Sequence, residues 1–251
     1  MSRRTKKREM GFKGDIDLVT DADRASEAAV VASIRERFPS HQILAEEGTT
    51  GGTSDSFRWI IDPLDGTTNY AHGYPHFAVS VAAERDGVVV AGAVYDPVLD
   101  EMFSATLGTG AFLNGCPIAV SPVDDLLRSL LSTGFPYDRR LFGTNLRRWD
   151  YFVRHAQAVR RDGSAALDLC YVGAGRFDAF WEDHLRPWDV AAALLIVSEA
   201  GGLVSDFEDG PPDIYCGEIV ASNGRIHRAV LDGIARASPH ARSRRVEAEG
   251  A

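Results

Sequence analysis

The chain has no apolar run approaching the roughly 20 residues that a membrane-spanning helix requires, so no such helix is expected. Cysteine is scarce. Cys116, Cys170 and Cys216 are odd in number and widely spaced, so they give neither a disulfide framework nor the spacing of a zinc site. Buried free thiols in a reducing compartment are the expectation, and with it a soluble, cytoplasmic protein. Positive charge is also in short supply: 27 Lys and Arg against 36 Asp and Glu give a net charge of -9, which argues against a general affinity for nucleic acid. The one basic run, Arg3, Arg4, Lys6, Lys7 and Arg8, reads as a solvated tail. No apolar segment follows it, so it does not read as a signal peptide. No internal repeat is present.

What the chain does have is a core. With 45% hydrophobic residues over 251 positions it can fill one domain of two packed halves. The expected division is a disordered basic tail over 1–14, a folded body over 15–236 with halves of about 15–125 and 126–236, and a tail over 237–251. Apolar residues at helical spacing predict a helix over 22–38, stopped by Pro39. Short strands follow at 43–45 and 57–61, separated by a Gly- and Thr-rich stretch, 48–53, that reads as a mobile loop. Asp86-Gly87 marks a hairpin between strands 77–85 and 88–95, and 102–105 and 111–113 continue the meander. Strands are then expected at 129–132, 177–181, 203–206 and 219–221, and helices at 145–159, 164–172, 187–200 and 224–235. Strands and helices mixed around one core make the fold class α/β, an α+β layered sandwich.

Carboxylates gather where apolar strands end. Asp62 follows Trp59-Ile60-Ile61, and Pro63 stiffens a turn that can present Asp62 and Asp65 on one side. Glu46 closes another strand, and Asp189 opens an apolar helix. Any one of these acids could be a helix cap or a surface residue. As a set they would cost several kcal/mol per ion to bury together without a counter-charge. A hard divalent cation supplies one, because magnesium favours carboxylate, carbonyl and water oxygens. Gly66-Thr67-Thr68-Asn69 and Gly163-Ser164-Ala165-Ala166 each place a glycine turn at a helix start, where backbone N–H groups suit a phosphate. An acidic metal turn fused to an anion-binding helix start points to phosphoryl transfer.

Four blocks carry a family likeness: Asp17-Leu18-Val19-Thr20-Asp21-Ala22-Asp23, Glu46-Glu47-Gly48, Trp59 through Tyr70, and Trp188-Asp189-Val190-Ala191 with Glu199-Ala200-Gly201-Gly202. In these the chain resembles the inositol monophosphatase family, within the lithium-sensitive, magnesium-dependent phosphatase superfamily, over roughly residues 12–235. The resemblance implies the α-β-α-β-α sandwich of the inositol monophosphatase and fructose-1,6-bisphosphatase type, usually a homodimer, with two or three Mg2+ per active site. Glu46, Asp62 and the Leu64 carbonyl would hold one ion; Asp62, Asp65 and Asp189 would hold a second. Thr67, positioned by Asp23, would orient the attacking water, with Glu46 also in the catalytic set. The amides of Gly66 and Thr67 would grip the phosphate. Asp65, Gly163, Ala165 and Glu182 would contact the substrate.

The implied reaction is hydrolysis of a small phosphorylated polyol, myo-inositol monophosphate first among the candidates. Fructose 1,6-bisphosphate, histidinol phosphate and nucleotide 3′-phosphates are the alternatives within the superfamily. A haloacid dehalogenase-type phosphatase places its two aspartates two apart, whereas Asp62 and Asp65 are three apart. A catalytically silent binding protein is the alternative of another class, and it usually loses a metal ligand first. The sequence departs from the family in having fewer residues ahead of the first block, in Lys13 lying one residue closer to it, in a short loop after Glu46, and in Ala193 where a glycine is common. Asp183 and His184 add polarity beside Glu182 without an assigned role.

Overall fold

The structure, a computed structural model, describes residues 10–12, 18–54, 56–136 and 138–238. Two short strands, β1 (Met10–Phe12) and β2 (Leu18–Thr20), pair antiparallel ahead of helix α1 (Asp21–Arg37). Residues 10–12 are thus strand where a disordered tail was expected. The remainder of 1–14, with Lys13, and the tail beyond Ser238 lie outside the described residues. Helix α1 starts at a capping box: the Thr20 hydroxyl accepts from the Ala22 N–H at 3.2 Å, and the Asp23 carboxylate accepts from the Thr20 N–H at 2.8 Å.

The larger sheet contains β3 (Gln42–Ala45), β4 (Thr50–Gly51), β5 (Phe57–Asp65), β6 (Ala78–Arg85), β7 (Val88–Asp96), β8 (Glu101–Thr106), β9 (Ala111–Leu113) and β10 (Cys116–Pro117). Its order is β10-β9-β8-β7-β6-β5-β3-β4. Every described pairing in it is antiparallel except β3 with β5, which is parallel. Strand β4 lies in the stretch expected to be mobile. It is tied down because the buried Glu27 carboxylate of α1 accepts from the Glu47 N–H at 2.9 Å, from the Thr49 N–H at 3.2 Å and from the Thr49 hydroxyl.

Between β5 and β6 lies a short helix, α2 (Thr67–His72). The smaller sheet contains β11 (Leu130–Thr133), β12 (Ala158–Arg160), β13 (Ala179–Glu182), β14 (Leu203–Ser205) and β15 (Ile219–Ser222), in the order β12-β11-β13-β15-β14. Its helices are α3 (Phe142–His155), α4 (Ala165–Gly173), α5 (Pro187–Glu199) and α6 (His227–Ala237). The helix expected over 145–159 stops at His155. Ala158 and Val159 instead pair in parallel with Leu130 and Leu131, an apolar alternation claimed by the sheet edge.

The layers follow from where the apolar faces meet. Helix α1 packs on one face of the large sheet through Val30, Ile34, Ile43 and Ile61. Helices α4 and α5 are buried between the two sheets in the largest cluster, which explains why Val190 to Val197 is apolar on every side. Helices α3 and α6 cover the far face of the small sheet through Phe152, Trp181, Val230 and Ile234. This is the expected α-β-α-β-α sandwich. Ala193 sits fully buried in the middle layer. Of the three cysteines, Cys170 alone is buried; Cys116 and Cys216 are free thiols at the surface, because the β9–β10 edge and the loop before β15 face solvent.

Helix α5 lies close to the large sheet because Gly92 of β7 has no side chain. A Cβ there would stand 2.8 Å from both the Cα and the carbonyl oxygen of Ala192. Gly92→Ala should therefore push α5 off the sheet and destabilise the fold by about 1–3 kcal/mol. In a urea titration the midpoint should fall with little change in slope, and an unchanged midpoint would show that the layer spacing does not depend on this contact.

Candidate active site

The one parallel pairing in the large sheet places two strand ends side by side. Ala45 pairs with Ile61, and the Glu46 N–H donates to the Ile61 carbonyl at 3.1 Å, so Glu46 and Asp62 emerge together at the carboxyl ends of β3 and β5. Three residues on, Asp65 would face the opposite side of a regular strand. A bulge intervenes: Asp62 pairs with Ser80 and Asp65 with Ala78, three steps on one strand against two on the other. The extra residue turns both carboxylates to one side, and Pro63 falls where no ladder hydrogen bond is needed. Ser80 then donates to the Trp188 carbonyl at 3.3 Å, which fixes the start of α5 and brings Asp189 to the same place.

Each acid is held by the backbone around it. Asp62 Oδ1 accepts from the Leu64 N–H at 2.9 Å. Asp65 Oδ2 accepts from the Ser164 hydroxyl at 2.5 Å and from the Ala166 N–H at 2.8 Å, at the start of α4. Asp189 Oδ2 accepts from the Arg186 N–H at 2.7 Å, at the start of α5. Two helix N-termini therefore point their positive ends into the acidic cluster. That compensation is incomplete. Burial pushes the Asp62 carboxyl well above its ordinary value, and Glu46, Asp65 and Asp189 push it further. Burial also raises Asp65 against the pull of Ser164 and Ala166, and raises Asp189 to about 8. All four expected acids are thus within electrostatic reach of one another. Their donors are all oxygens, which suits a hard cation such as Mg2+ better than zinc or copper.

Thr67, first residue of α2, lies beside them. Its hydroxyl is 3.1 Å from Asp23 Oδ1 and 3.0 Å from the Leu64 carbonyl, one proton for two acceptors. Asp23 is fully buried and is itself held by Thr20 N–H and the Thr20 hydroxyl, at 2.8 and 2.5 Å. Gly66 has φ +86°, and a Cβ there would meet the His76 carbonyl at 3.0 Å and the Gly163 carbonyl at 3.3 Å. This turn tolerates no side chain.

The expected substrate residues Gly163, Ala165 and Glu182 line one cleft of about 90 Å³ together with Asp65 and Asp189. Sequence reasoning missed several residues that shape it. Gly134 follows β11, next to β13 in register, and a Cβ there would overlap the Glu182 carboxylate. Asn145 of α3 fixes this arrangement, donating to the Gly134 carbonyl at 2.5 Å and accepting from Trp181 Nε1 at 2.7 Å. Asn69 of α2 donates to the carbonyls of His76 and Asp162 at 2.8 and 2.7 Å, so the metal turn and the cleft loop share one clamp. Behind Asp65, His76 Nε2 and Asp168 Oδ1 form a buried pair at 3.4 Å. Burial lowers the His76 pKa, but Asp168, Asp162 and Asp65 together outweigh it and the net shift is upward; burial raises Asp168 to about 7. The donor atoms of His76, Asp162 and Asp168 lie within 4.8 Å of one another, a set distinct from the four expected acids. Asp183 instead binds Arg148 Nη1 at 2.6 Å in the interior, and its Oδ1 lies 3.1 Å from Nδ1 of the exposed His184.

The pKa directions fix the pH dependence of stability without metal. Asp62, Asp65 and Asp189 have native pKa values above the ordinary 3.8. Between about pH 4 and 8 the native state therefore binds more protons than the unfolded chain, and stability falls as pH rises, by about 1.4 kcal/mol per pH unit for each full proton of difference. His76 acts in the same direction; His227, lowered by burial, opposes it over a narrower range. Chelated protein should melt at lower temperature at pH 8 than at pH 5, and added Mg2+ should close the gap. A metal-free melting temperature that rises over this range would contradict the clustering of the acids.

Known proteins place this geometry. A sequence model of the inositol monophosphatase family matches residues 1–242. The chain is 47% identical over 221 residues to an inositol-1-monophosphatase of Synechocystis, covering 87% of this chain and 77% of that protein. It is 46% identical over 225 residues to the Nus factor SuhB of Escherichia coli, covering 89% and 84%. The crystal structure of the extragenic suppressor protein suhB of Bartonella henselae superposes with a TM-score of 0.88 at 41% identity, over 91% and 88% of the two chains. A more distant structure, an IMPase/NADP phosphatase complexed with Mg2+ and phosphate, has a TM-score of 0.81 at 25% identity over 90% and 86%. Among the described residues no helix is long and apolar enough to cross a membrane. This chain belongs to the inositol monophosphatase family of phosphoric monoester hydrolases.

Proposed function

We propose that the protein hydrolyses a small phosphorylated polyol, with myo-inositol monophosphate as the first substrate to test, using Mg2+ held by Glu46, Asp62, Asp65, Asp189 and the Leu64 carbonyl. The observation that carries this reading is Asp62, buried, with three other carboxylates raising its pKa. The relative complexed with Mg2+ and phosphate supports the choice of ion. When bound, magnesium supplies Lewis acidity and lowers the pKa of water. The chain's own residues do the rest. A Thr67 hydroxyl that donates to Asp23 leaves its lone pairs to accept a hydrogen bond and so orient a water. The amides of Gly66 and Thr67, at the start of α2, offer donors to phosphoryl oxygens.

Glu182 supports the polyol. Its carboxylate is buried in the cleft wall, where it can accept hydrogen bonds from substrate hydroxyls. A homodimer and a cytoplasmic setting belong to the same proposal; free surface thiols at Cys116 and Cys216 accord with a reducing environment. Activity should vanish on chelation and return with Mg2+, and full activity after exhaustive chelation would sink the metal assignment. Glu182→Gln should lower kcat/KM for inositol phosphate by about 1–3 kcal/mol, and by clearly less for an aryl phosphate without hydroxyls. Equal losses on both would assign Glu182 to folding or to the metal cluster instead.

A further inference from the structure

Behind Asp65, three segments bring one imidazole and two carboxylates together: His76 ahead of β6, Asp162 in the cleft loop and Asp168 in α4. One ligand atom of each lies within 4.8 Å of the other two. His76 and Asp168 are 8% and 2% exposed, and their facing atoms, Nε2 and Oδ1, are buried and make no hydrogen bond among the described residues. These atoms stand 3.4 Å apart. A charge-assisted N–H···O contact closes to about 2.7–2.9 Å, so the pair is held open. Two ligands on one tetrahedral ion, each bonded at about 2.0–2.1 Å, stand about 3.3–3.4 Å apart, which matches the spacing found. The groups are also held in place. The His76 ring packs edge-on against Tyr171, with centroids 5.8 Å apart, and tilted against Tyr74 at 6.4 Å. Asn69 Nδ2 donates to the backbone carbonyls of His76 and Asp162 at 2.8 and 2.7 Å, so one amide fixes both backbones. Asp162 is half-buried, and its carboxylate has room to close the remaining distance. Asp168 also lines the cleft beside Asp65, which gives an ion a way in.

We propose that His76, Asp162 and Asp168 form a second cation site, for Zn2+, which staples the cleft loop and α4 to the segment leading into β6. The donors set it apart from the acid cluster. Imidazole suits zinc and its late first-row neighbours, whereas magnesium favours oxygen donors in octahedral geometry. Glu46, Asp62, Asp65 and Asp189 offer carboxylate oxygens alone; this site adds a nitrogen and the spacing of a four-coordinate ion. Three protein ligands leave the fourth tetrahedral position to a water. The ion would lie behind Asp65 without taking it as a ligand, because Asp65 Oδ2 is already engaged by Ser164 and Ala166. The site requires nothing of the substrate and stands apart from the polyol-phosphate reading.

The test titrates Co2+, a coloured stand-in for zinc, into the wild type, Asp162→Asn and His76→Gln, each with excess Mg2+ to fill the oxygen-only cluster. The wild type should gain the strong visible absorption of a four-coordinate site, whereas an octahedral all-oxygen site absorbs weakly. Zn2+, which binds such donors more tightly than Co2+, should bleach that spectrum. Asp162→Asn should weaken Co2+ binding by at least about 10-fold, since the loss of even a supporting partner costs about 10- to 100-fold. His76→Gln should abolish the strong absorption. Zn2+ should also raise the melting temperature of the wild type and leave that of Asp162→Asn unchanged. Because Asp162 is only half-buried, its variant keeps the test decisive even if His76→Gln does not fold. Weak octahedral absorption alone, or strong absorption that Asp162→Asn leaves unchanged, would overturn the inference. Loss of Mg2+-dependent turnover in Asp162→Asn would assign that residue to the acid cluster and overturn it as well.

Discussion

Repulsion among carboxylates clustered around the buried Asp62 organises this molecule. Asp62 is enclosed by protein and faces three more acids, and among the described residues no lysine or arginine offsets them there. A fold that tolerates this must deliver the acids from rigid elements and offset them with whatever dipoles it has. Both requirements are visible. The parallel β3–β5 pair, an exception within an antiparallel sheet, brings two strand ends together, and the β5 bulge rotates a third acid into line. The starts of α4 and α5 give backbone donors to Asp65 and Asp189. What these leave uncompensated is the driving force for binding a dication.

The division of labour between the sheets follows. The large sheet and its turns supply the acids, Thr67 and the amides at the start of α2; the end of the small sheet supplies Gly134 and Glu182. Two contacts register one against the other: Asp65 with Ser164, and Asn69 with the carbonyls of Asp162 and Gly163. Chemistry and recognition are therefore adjacent but separable. On the proposed function, a change at the end of β11 or β13 would alter which alcohol is accepted without moving a carboxylate of the cluster.

How much of this was legible in the sequence depended on the range of the interactions involved. Asp62, Asp65 and Asp189 stand next to apolar runs, so their placement at strand ends and a helix start could be read locally. The same held for the layered fold, since strand and helix periodicities are local. The helix expected through Val159 failed because 158–160 has a spacing compatible with either state, and the edge of β11, thirty residues earlier, decided it. The loop after Glu46 looked mobile because its anchor, Glu27, lies a helix away. Gly134 reads as an ordinary turn glycine until Glu182 is seen filling the space of its missing side chain. Ser164 and Asn69 likewise act across about a hundred residues, beyond the reach of any periodicity.

Burial alone does not distinguish the roles of the acids; the neighbouring charges do. Asp62 and Glu182 are both almost inaccessible, and burial is the largest effect raising each. Among the described residues the charged neighbours of Asp62 all push in the same direction as its burial, so a bound cation would relieve it. Glu182 feels Asp189, Asp168 and Asp65, but also Arg161, which pulls the other way. On the proposed function, a dication would settle among Glu46, Asp62, Asp65 and Asp189, the acids that Asp62 itself feels, with Glu182 in the cleft wall left to accept from substrate hydroxyls.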